Sequence, residues 1–353
     1  MAFDITKTHH LLAAYEQAAP ISSFLRDRYF PCNPATDVFT TDDVIMEYKN
    51  GSQRMAPFVA PRVGGKTVLR DGYKMERYEP PFIAPKRPLT LDDLAKKGFG
   101  EAIYANLTPE QRQGAIVTKD MTEMDDMITR REEAMAAEVM TTGALVMKHY
   151  GDNATDFEEK HIQYFDGETN TAAYNVAAAW GPNADIYGDL AGMVAFAQQS
   201  GLRVSELVIA ANIVPAILNN ETVKKFLDIR GYEMGHIQPR ELNAAGAAYI
   251  GTLNVNGVMI DIISYGAQYQ ADDGTMTAYI PNNTVVLTAP AAGRTAYGAV
   301  TQLEDDEQFH TYAGKRVPKY TSNKAADIRT LRLAARPLMI PNNKNCFIVA
   351  DVG

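Results

Sequence analysis

The chain has 353 residues, 46% of them hydrophobic, enough to build one large or two ordinary domains. Its formal net charge of −9 argues against sequence-independent nucleic-acid binding over the whole surface, which needs a basic footprint. The two cysteines, Cys32 and Cys346, are far apart, with no Cys-x-x-Cys and no Cys/His cluster; the pattern excludes the usual zinc spacings and reads as two reduced thiols.

The first residues, MAFDITKTHHLLAAYEQ, carry Asp4 and Glu16 and lack the long apolar run of a secretory signal. No stretch approaches the ~20 apolar residues of a membrane-spanning helix. A soluble protein made in the cytoplasm is expected. Residues 5–17 predict a short amphipathic helix with Leu11, Leu12, Ala14 and Tyr15 near one face, stopped by Pro20. Residues 21–50, broken by Pro31 and Pro34, fit short extended pieces better than a helix.

Residues 51–90 read as a long hairpin. Asp71-Gly72 is its turn signal, and YKMERYE after it alternates with period two. The following PPFIAPKRPLT has too many prolines for a helix or a central strand. This stretch is basic in an acidic chain: Arg62, Lys66, Arg70, Lys74, Arg77, Lys86 and Arg87 stand against Asp71, Glu76 and Glu79. Such contrast suits docking onto something acidic, another copy of the chain included.

Residues 120–150 give the clearest helical periodicity. Thr122 and Asp125 resemble a capping box, Met124, Met127/Ile128, Met135, Val139, Leu145/Val146 and His149 recur at helical spacing, and Gly151 ends it. At about 1.5 Å per residue it would run roughly 40 Å, long for a globular domain. Strands are expected over 160–180, with a turn at Asp166-Gly167, and a helix over 184–200. LVIAA within 201–217 is a buried strand followed by a helical piece, and ETVKKFLDI is a short helix. From residue 246 the pattern is β, with Asn256-Gly257 a strong hairpin signal. LRLAARPLMIPNNKNCFIVADVG predicts two strands around a turn, and the class is mixed α+β.

Residues 60–67, APRVGGKT, imitate a phosphate-binding loop but put Ala60-Pro61 where the first glycine belongs. Pro61 removes an amide such a loop needs, and an alternating segment follows where a helix should begin. Asp261, ending the apolar GVMIDII, is the one acid that imitates the partner motif. The histidines form no H-E-x-x-H, and no G-x-S-x-G occurs. Glu123, Asp125, Asp126, Glu132 and Glu133 interleave with Arg130 and Arg131 and read as a solvated helix face, and Glu304-Asp305-Asp306-Glu307 reads as an exposed loop. No catalytic, cofactor or metal residue is assigned.

Several stretches match a family in order and spacing. They are Leu11-Leu12-Ala13-Ala14 with Glu16-Gln17, Phe24-Leu25-Arg26, and Pro61, Val63, Gly65, Gly72, Pro80, Pro85 and Lys86. Ile280-Pro281, Asn283-Thr284, Val286-Leu287, Tyr297-Gly298 and Pro337-Leu338-Met339 complete the set. The chain resembles the lambda-like major capsid protein E family of tailed bacteriophages, with the HK97-like fold. Residues 150–245 match in element order only.

The resemblance implies an N-terminal arm (1–50), an E-loop hairpin (51–90) and a peripheral domain (91–200) with its spine helix at 120–150. An axial domain (200–315) and a return to the peripheral domain (316–353) would follow. It implies a structural, non-enzymatic role in the virion, after assembly in the host cytoplasm. Pentamers and hexamers of the chain would form an icosahedral shell around double-stranded DNA, enclosed without specific binding. Scaffold, portal and decoration proteins are the implied partners, with no membrane partner and no cofactor. The basic residues of 62–87 would form an intersubunit or decoration-protein interface. Another phage subunit, such as a decoration or tail protein, is the alternative; a nucleotide-binding enzyme using 60–67 is the remote one.

Overall fold

A computed structural model of the chain describes residues 21, 23–48, 74–95, 109–150, 157–227, 235–236, 240–241, 245–304, 307–323 and 327–353. The first helix among the described residues, Phe24–Tyr29 (α1), stands where only extended pieces are expected. Tertiary contact overrides the local pattern: Phe24, Leu25 and Tyr29 are buried, and the Phe24 ring stacks 5.7 Å from that of Tyr265. Val44–Tyr48 (β1) pairs antiparallel with Lys74–Tyr78 (β2), Val44 opposite Tyr78. This pair forms a hairpin stem that begins before residue 51. The expected helix at 5–17, the 60–67 stretch and the Asp71-Gly72 turn lie outside the described residues.

Lys86–Leu89 (β3) is not part of that stem and joins a different sheet. After the short helix Leu91–Ala95 (α2) comes the long helix Pro109–Thr142 (α3), 34 residues or about 50 Å at 1.5 Å per residue. It starts earlier and ends earlier than the expected 120–150. Proline is at home in the first turn, so Pro109 opens the helix, and Thr122 sits inside it with its hydroxyl on the Thr118 carbonyl at 3.1 Å. Gly143, at φ +71°, stops it, its N–H donating to the Val139 carbonyl at 3.0 Å. Ala144–Tyr150 (β4) is therefore a strand, paired antiparallel with Phe157–Gln163 (β5). Leu145 and Met147 alternate inward, a period-two pattern that overlapped the helical one.

The remaining elements build the main sheet and its satellites. In order they are Ala173–Asn175 (β6), Ile186–Gln199 (α4), Glu206–Ala210 (β7), Val214–Asn219 (α5) and Glu221–Leu227 (α6). Gly235–His236 (β8), Arg240–Glu241 (β9), Ala247–Val255 (β10), Val258–Tyr265 (β11), Gln268–Gln270 (β12), Met276–Ala278 (β13) and Thr284–Thr288 (β14) follow. The chain closes with Gly293–Tyr297 (β15), Val300–Leu303 (β16), Phe309–Tyr312 (β17), Val317–Asn323 (β18), Ile328–Ala334 (β19), Pro337–Pro341 (β20) and Ile348–Asp351 (β21).

The largest sheet has eight strands in the order β6-β21-β14-β7-β11-β10-β8, with β9 also on β10. β7 lies at its centre, parallel to β11 and antiparallel to β14, and all five of its residues are buried. The β10–β11 hairpin turns at Asn256 and Gly257, both at positive φ (50° and 84°), as a type I′ turn demands. β18, β19 and β3 form a second sheet, where Leu331 and Leu333 pack on Met124 and Ile128 of α3.

The final stretch holds three strands in three sheets, not two around a turn. β19 and β20 are both too engaged elsewhere to pair with each other: β20 pairs β15, and β21 pairs β14 and β6. β6 and β21 thus belong to the eight-stranded sheet, although they fall in the stretches expected to be peripheral.

Gly293 opens β15 where backbone and ring approach closely. A Cβ there would overlap the Phe30 ring and lie 2.8 Å from the Ile340 carbonyl oxygen, and that ring already packs 5.1 Å from Phe347. Gly293→Ala is expected to cost about 1–3 kcal/mol by overpacking, read as a lower urea midpoint at unchanged slope. An unchanged midpoint would refute the crowding.

Candidate functional site

The most elaborate polar arrangement in the described residues is a set of three buried acids that fasten α1 to the rest of the chain. Glu132 and Glu133 come from α3 and Glu206 from the start of β7. Glu133 accepts hydrogen bonds from the Leu25 N–H at 2.8 Å, the Arg26 N–H at 2.9 Å and the Tyr265 hydroxyl at 2.6 Å. It supplies the acceptors that the first amides of a helix lack. Glu206 accepts from Arg28 Nε at 2.7 Å, from Arg28 Nη2 and from the Tyr29 hydroxyl at 2.8 Å.

Glu132 is the hub. Arg316 reaches it with Nη1 at 2.7 Å and Nη2 at 3.0 Å, Arg26 Nη1 lies at 2.7 Å, and the Tyr297 hydroxyl donates at 3.1 Å. Arg316 Nε also donates to Asp125 at 2.6 Å. Above the hub opens a cleft of about 480 Å³ lined by Arg26, Cys32, Asp125, Tyr297, Lys315 and Arg316 among others. Carboxylates that close hold both guanidinium groups further toward the charged form than usual, even against the opposing effect of burial.

The expectation of a solvated face at Glu132 and Glu133 is therefore overturned. Both sit on the side of α3 that carries Met124, Ile128, Ala136 and Met140 into the interior. Charge composition marked them as surface groups, whereas Glu132 falls in that apolar row and Glu133 lies in the next one, four residues before the buried Ala137. Burial is the leading cause of a raised Glu133 pKa, only partly offset by its hydrogen bonds. The sign follows from linkage. A carboxyl whose folded pKa is raised contributes stability that is fully present below its unfolded value, ordinarily 4.5, and is lost as pH rises through the folded value. The stability advantage of the wild type over Glu133→Gln should therefore shrink as pH rises through that window, measured by urea unfolding across a pH series. A pH-independent difference would refute the raised pKa.

The basic residues proposed from the sequence divide. Arg62, Lys66 and Arg70 lie outside the described residues, and Lys74 is at the start of β2. Arg77, exposed, pairs with Asp43, while Arg87 pairs with Asp120 at 2.7 Å and with Glu123 on α3. Lys86 is exposed on β3. The structure thus ties Arg77 and Arg87 into the chain's own ion pairs and does not gather the described members into one patch.

Among the described residues, no group of three or more His, Cys, Asp or Glu is placed to hold a metal ion. Asp261 accepts a hydrogen bond from the Thr252 hydroxyl at 2.6 Å across the β10–β11 pair. Cys32 and Cys346 are free thiols, both with pKa raised by burial, Cys346 to about 12, so neither is poised as a thiolate. No described helix is long and apolar enough to cross a membrane.

The model of the family described as phage major capsid protein E matches residues 7–352. The major capsid protein of Enterobacteria phage P21 is 24% identical over 362 aligned positions, covering 98% of each chain. That of Enterobacteria phage phi80 is 23% identical over 322 positions, covering 88% of this chain and 89% of the other. Among solved structures, one described as a prophage capsid protein from Escherichia coli CFT073 superposes with a TM-score of 0.62 at 17% identity, over 100% of both chains. That likeness shows a shared fold, a mixed α+β capsid fold, and the family match extends over almost every element described above. The chain belongs to the phage major capsid protein E family.

Proposed function

We propose that this chain is the building block of a phage head, a structural subunit of the virion and not an enzyme. The observation that carries the reading is the family match over residues 7–352. Copies assemble as pentamers and hexamers into an icosahedral shell that encloses double-stranded DNA. Scaffold, portal and decoration proteins are its assembly partners. The negative net charge of −9 supports an inner wall that holds packaged DNA without gripping it.

Within this reading the proposed divisions are an N-terminal arm to residue 50, a projecting hairpin, and a peripheral part built on α3. The axial part and the closing strands follow. The buried acids support the arm assignment, because they are what attaches α1 to both α3 and β7. The basic residues of 62–87 are proposed as the intersubunit or decoration-protein interface.

The test is negative-stain microscopy of the protein produced with its neighbouring genes. Closed shells are expected; rings, tubes or a stable monomer under every condition would overturn the reading. Arg70→Glu and Lys74→Glu should make assembly weaker and more salt-sensitive, since rim charges act mainly through steering and screening. Normal shells from both would remove the basic residues from the interface.

A further inference from the structure

We propose that Asn256-Gly257 is a self-modification site of the chain, where main chain and side chain condense with loss of ammonia, and that the Asn254 side chain holds the reaction back in the folded subunit. The inference goes beyond the shell-building reading and does not depend on it.

The chemistry needs only base and water. The Gly257 backbone nitrogen gives up its proton and attacks Asn256 Cγ. A new C–N bond forms, the Cγ–Nδ2 bond breaks, and the departing nitrogen leaves as ammonia. Water then opens the cyclic imide at either of its carbonyls. The product is aspartate, or the isomer whose main chain runs through the side chain. The net change is hydrolysis of one amide and the gain of one negative charge, with nothing oxidised or reduced. Glycine is the least hindering residue after asparagine, because it has no Cβ to shield the attacking nitrogen.

The sequence has two Asn-Gly pairs, of which Asn50-Gly51 lies outside the described residues. Asn256-Gly257 is the exposed tip of the β10–β11 hairpin. A Cβ on Gly257 would meet nothing within 4 Å, so water and base have open access. Exposure and sequence therefore favour the reaction, and what opposes it is the local hydrogen bonding.

The nucleophile itself is engaged: the Gly257 N–H donates to Asn254 Oδ1 at 2.9 Å. A proton held by an oxygen acceptor is withheld from base, which is also why hydrogen-bonded amides exchange slowly. Ring closure must swing the Gly257 nitrogen toward the Asn256 side chain, and that rotation breaks the same bond. On the other side of the residue, the Asn256 N–H donates to the Tyr187 hydroxyl of α4 at 3.3 Å. Both tip residues have positive φ, and Val255 stands opposite Val258, so the turn fixes the peptide between them. Asn254 is not a second site of the same kind, since the β-branched Val255 that follows it crowds the attack.

The guard protects more than one side chain. The isomer lengthens the main chain inside a two-residue turn, whose length sets the pairing register of β10 and β11. β11 in turn pairs with the central strand β7.

The full chain is incubated in mildly alkaline buffer, folded and in urea, and peptide mass spectrometry follows conversion at Asn256. Amide hydrogen exchange is read in parallel. In urea the wild type and Asn254→Ala should convert at one rate. Folded, the wild type should be far slower than in urea. Folded Asn254→Ala should convert about tenfold faster than the folded wild type, the factor that a hydrogen bond of about 1.4 kcal/mol gives. The Gly257 amide should exchange faster by the same factor, while Asn254→Asp, which keeps the acceptor, should stay slow. Conversion at Asn50 should not change with residue 254. No conversion of Asn256 in urea overturns the site. Equal folded rates for the wild type and Asn254→Ala overturn the guard, and so does a folded wild type that converts as fast as the unfolded chain. Faster exchange at Leu253 and Ile260 to the same extent as at Gly257 also overturns it, because Asn254 would then act by holding the whole hairpin.

Discussion

Val208→Asp yields no native subunit: the expected product is insoluble chain, or soluble chain without a cooperative unfolding transition. Val208 is the middle residue of β7, fully buried, with Ile263 of β11 on one side and Val286 of β14 on the other. The substitution removes an apolar side chain worth about 1.5–3 kcal/mol on burial. It then places a carboxyl among apolar neighbours that offer it no partner, a penalty of several kcal/mol more even when the group takes up a proton. The sum rivals the whole stability of an ordinary domain, about 5–15 kcal/mol. Val208→Ala separates this from a volume effect, because it should keep the fold and only lower the denaturation midpoint. Far-UV circular dichroism and soluble yield read the outcome. A cooperatively folded Val208→Asp subunit would show that β7 is not the centre of the core.

The same strand illustrates what a single chain makes legible. LVIAA is a continuous apolar run, and a strand buried on both faces has no other pattern. Asn256-Gly257 was equally plain, because positive φ at two successive residues restricts the choice of side chain. The family resemblance was legible too, through order and spacing spread over the chain. What stayed hidden depended on contacts distant in sequence. α1 forms because Glu133, more than a hundred residues away, receives its first amides. The end of α3 was obscured because Leu145 fits both a helical and an alternating period. Glu132 looked like surface charge, yet it continues the row Met124, Ile128, Ala136, Met140 at intervals of four, which was the available signal. Lys86 and Arg87 are indistinguishable as charges, but the pleat of β3 sends Arg87 to the acids of α3 and Lys86 to the other face.

The buried hub gives the second large effect, and its form distinguishes a network from a set of independent pairs. Glu132 is fully buried, whereas Arg26 and Arg316 are about one-fifth exposed, at 19% and 20%. Replacing either arginine by methionine leaves the carboxylate one cation and the Tyr297 hydroxyl, so each single change should be moderate. Arg26→Met with Arg316→Met leaves a buried charge with no counter-ion, and breaking buried pairs in this way costs about 3–5 kcal/mol. The two losses should therefore exceed the sum of the singles. Adding Glu132→Met removes the stranded charge and should recover most of the loss, because apolar replacement of a whole buried network is often neutral. Urea midpoints at constant slope measure the wild type and all four variants. Additive losses with no recovery in the triple variant would mean that the arginines act through packing alone. Recovery would place the value of the hub elsewhere than in stability. It is the point where α1, α3, β15 and the chain entering β18 converge, and an apolar core of the same volume would hold them together without fixing which groups meet. The triple variant should then fold, while its α1 exchanges amide protons faster than that of the wild type.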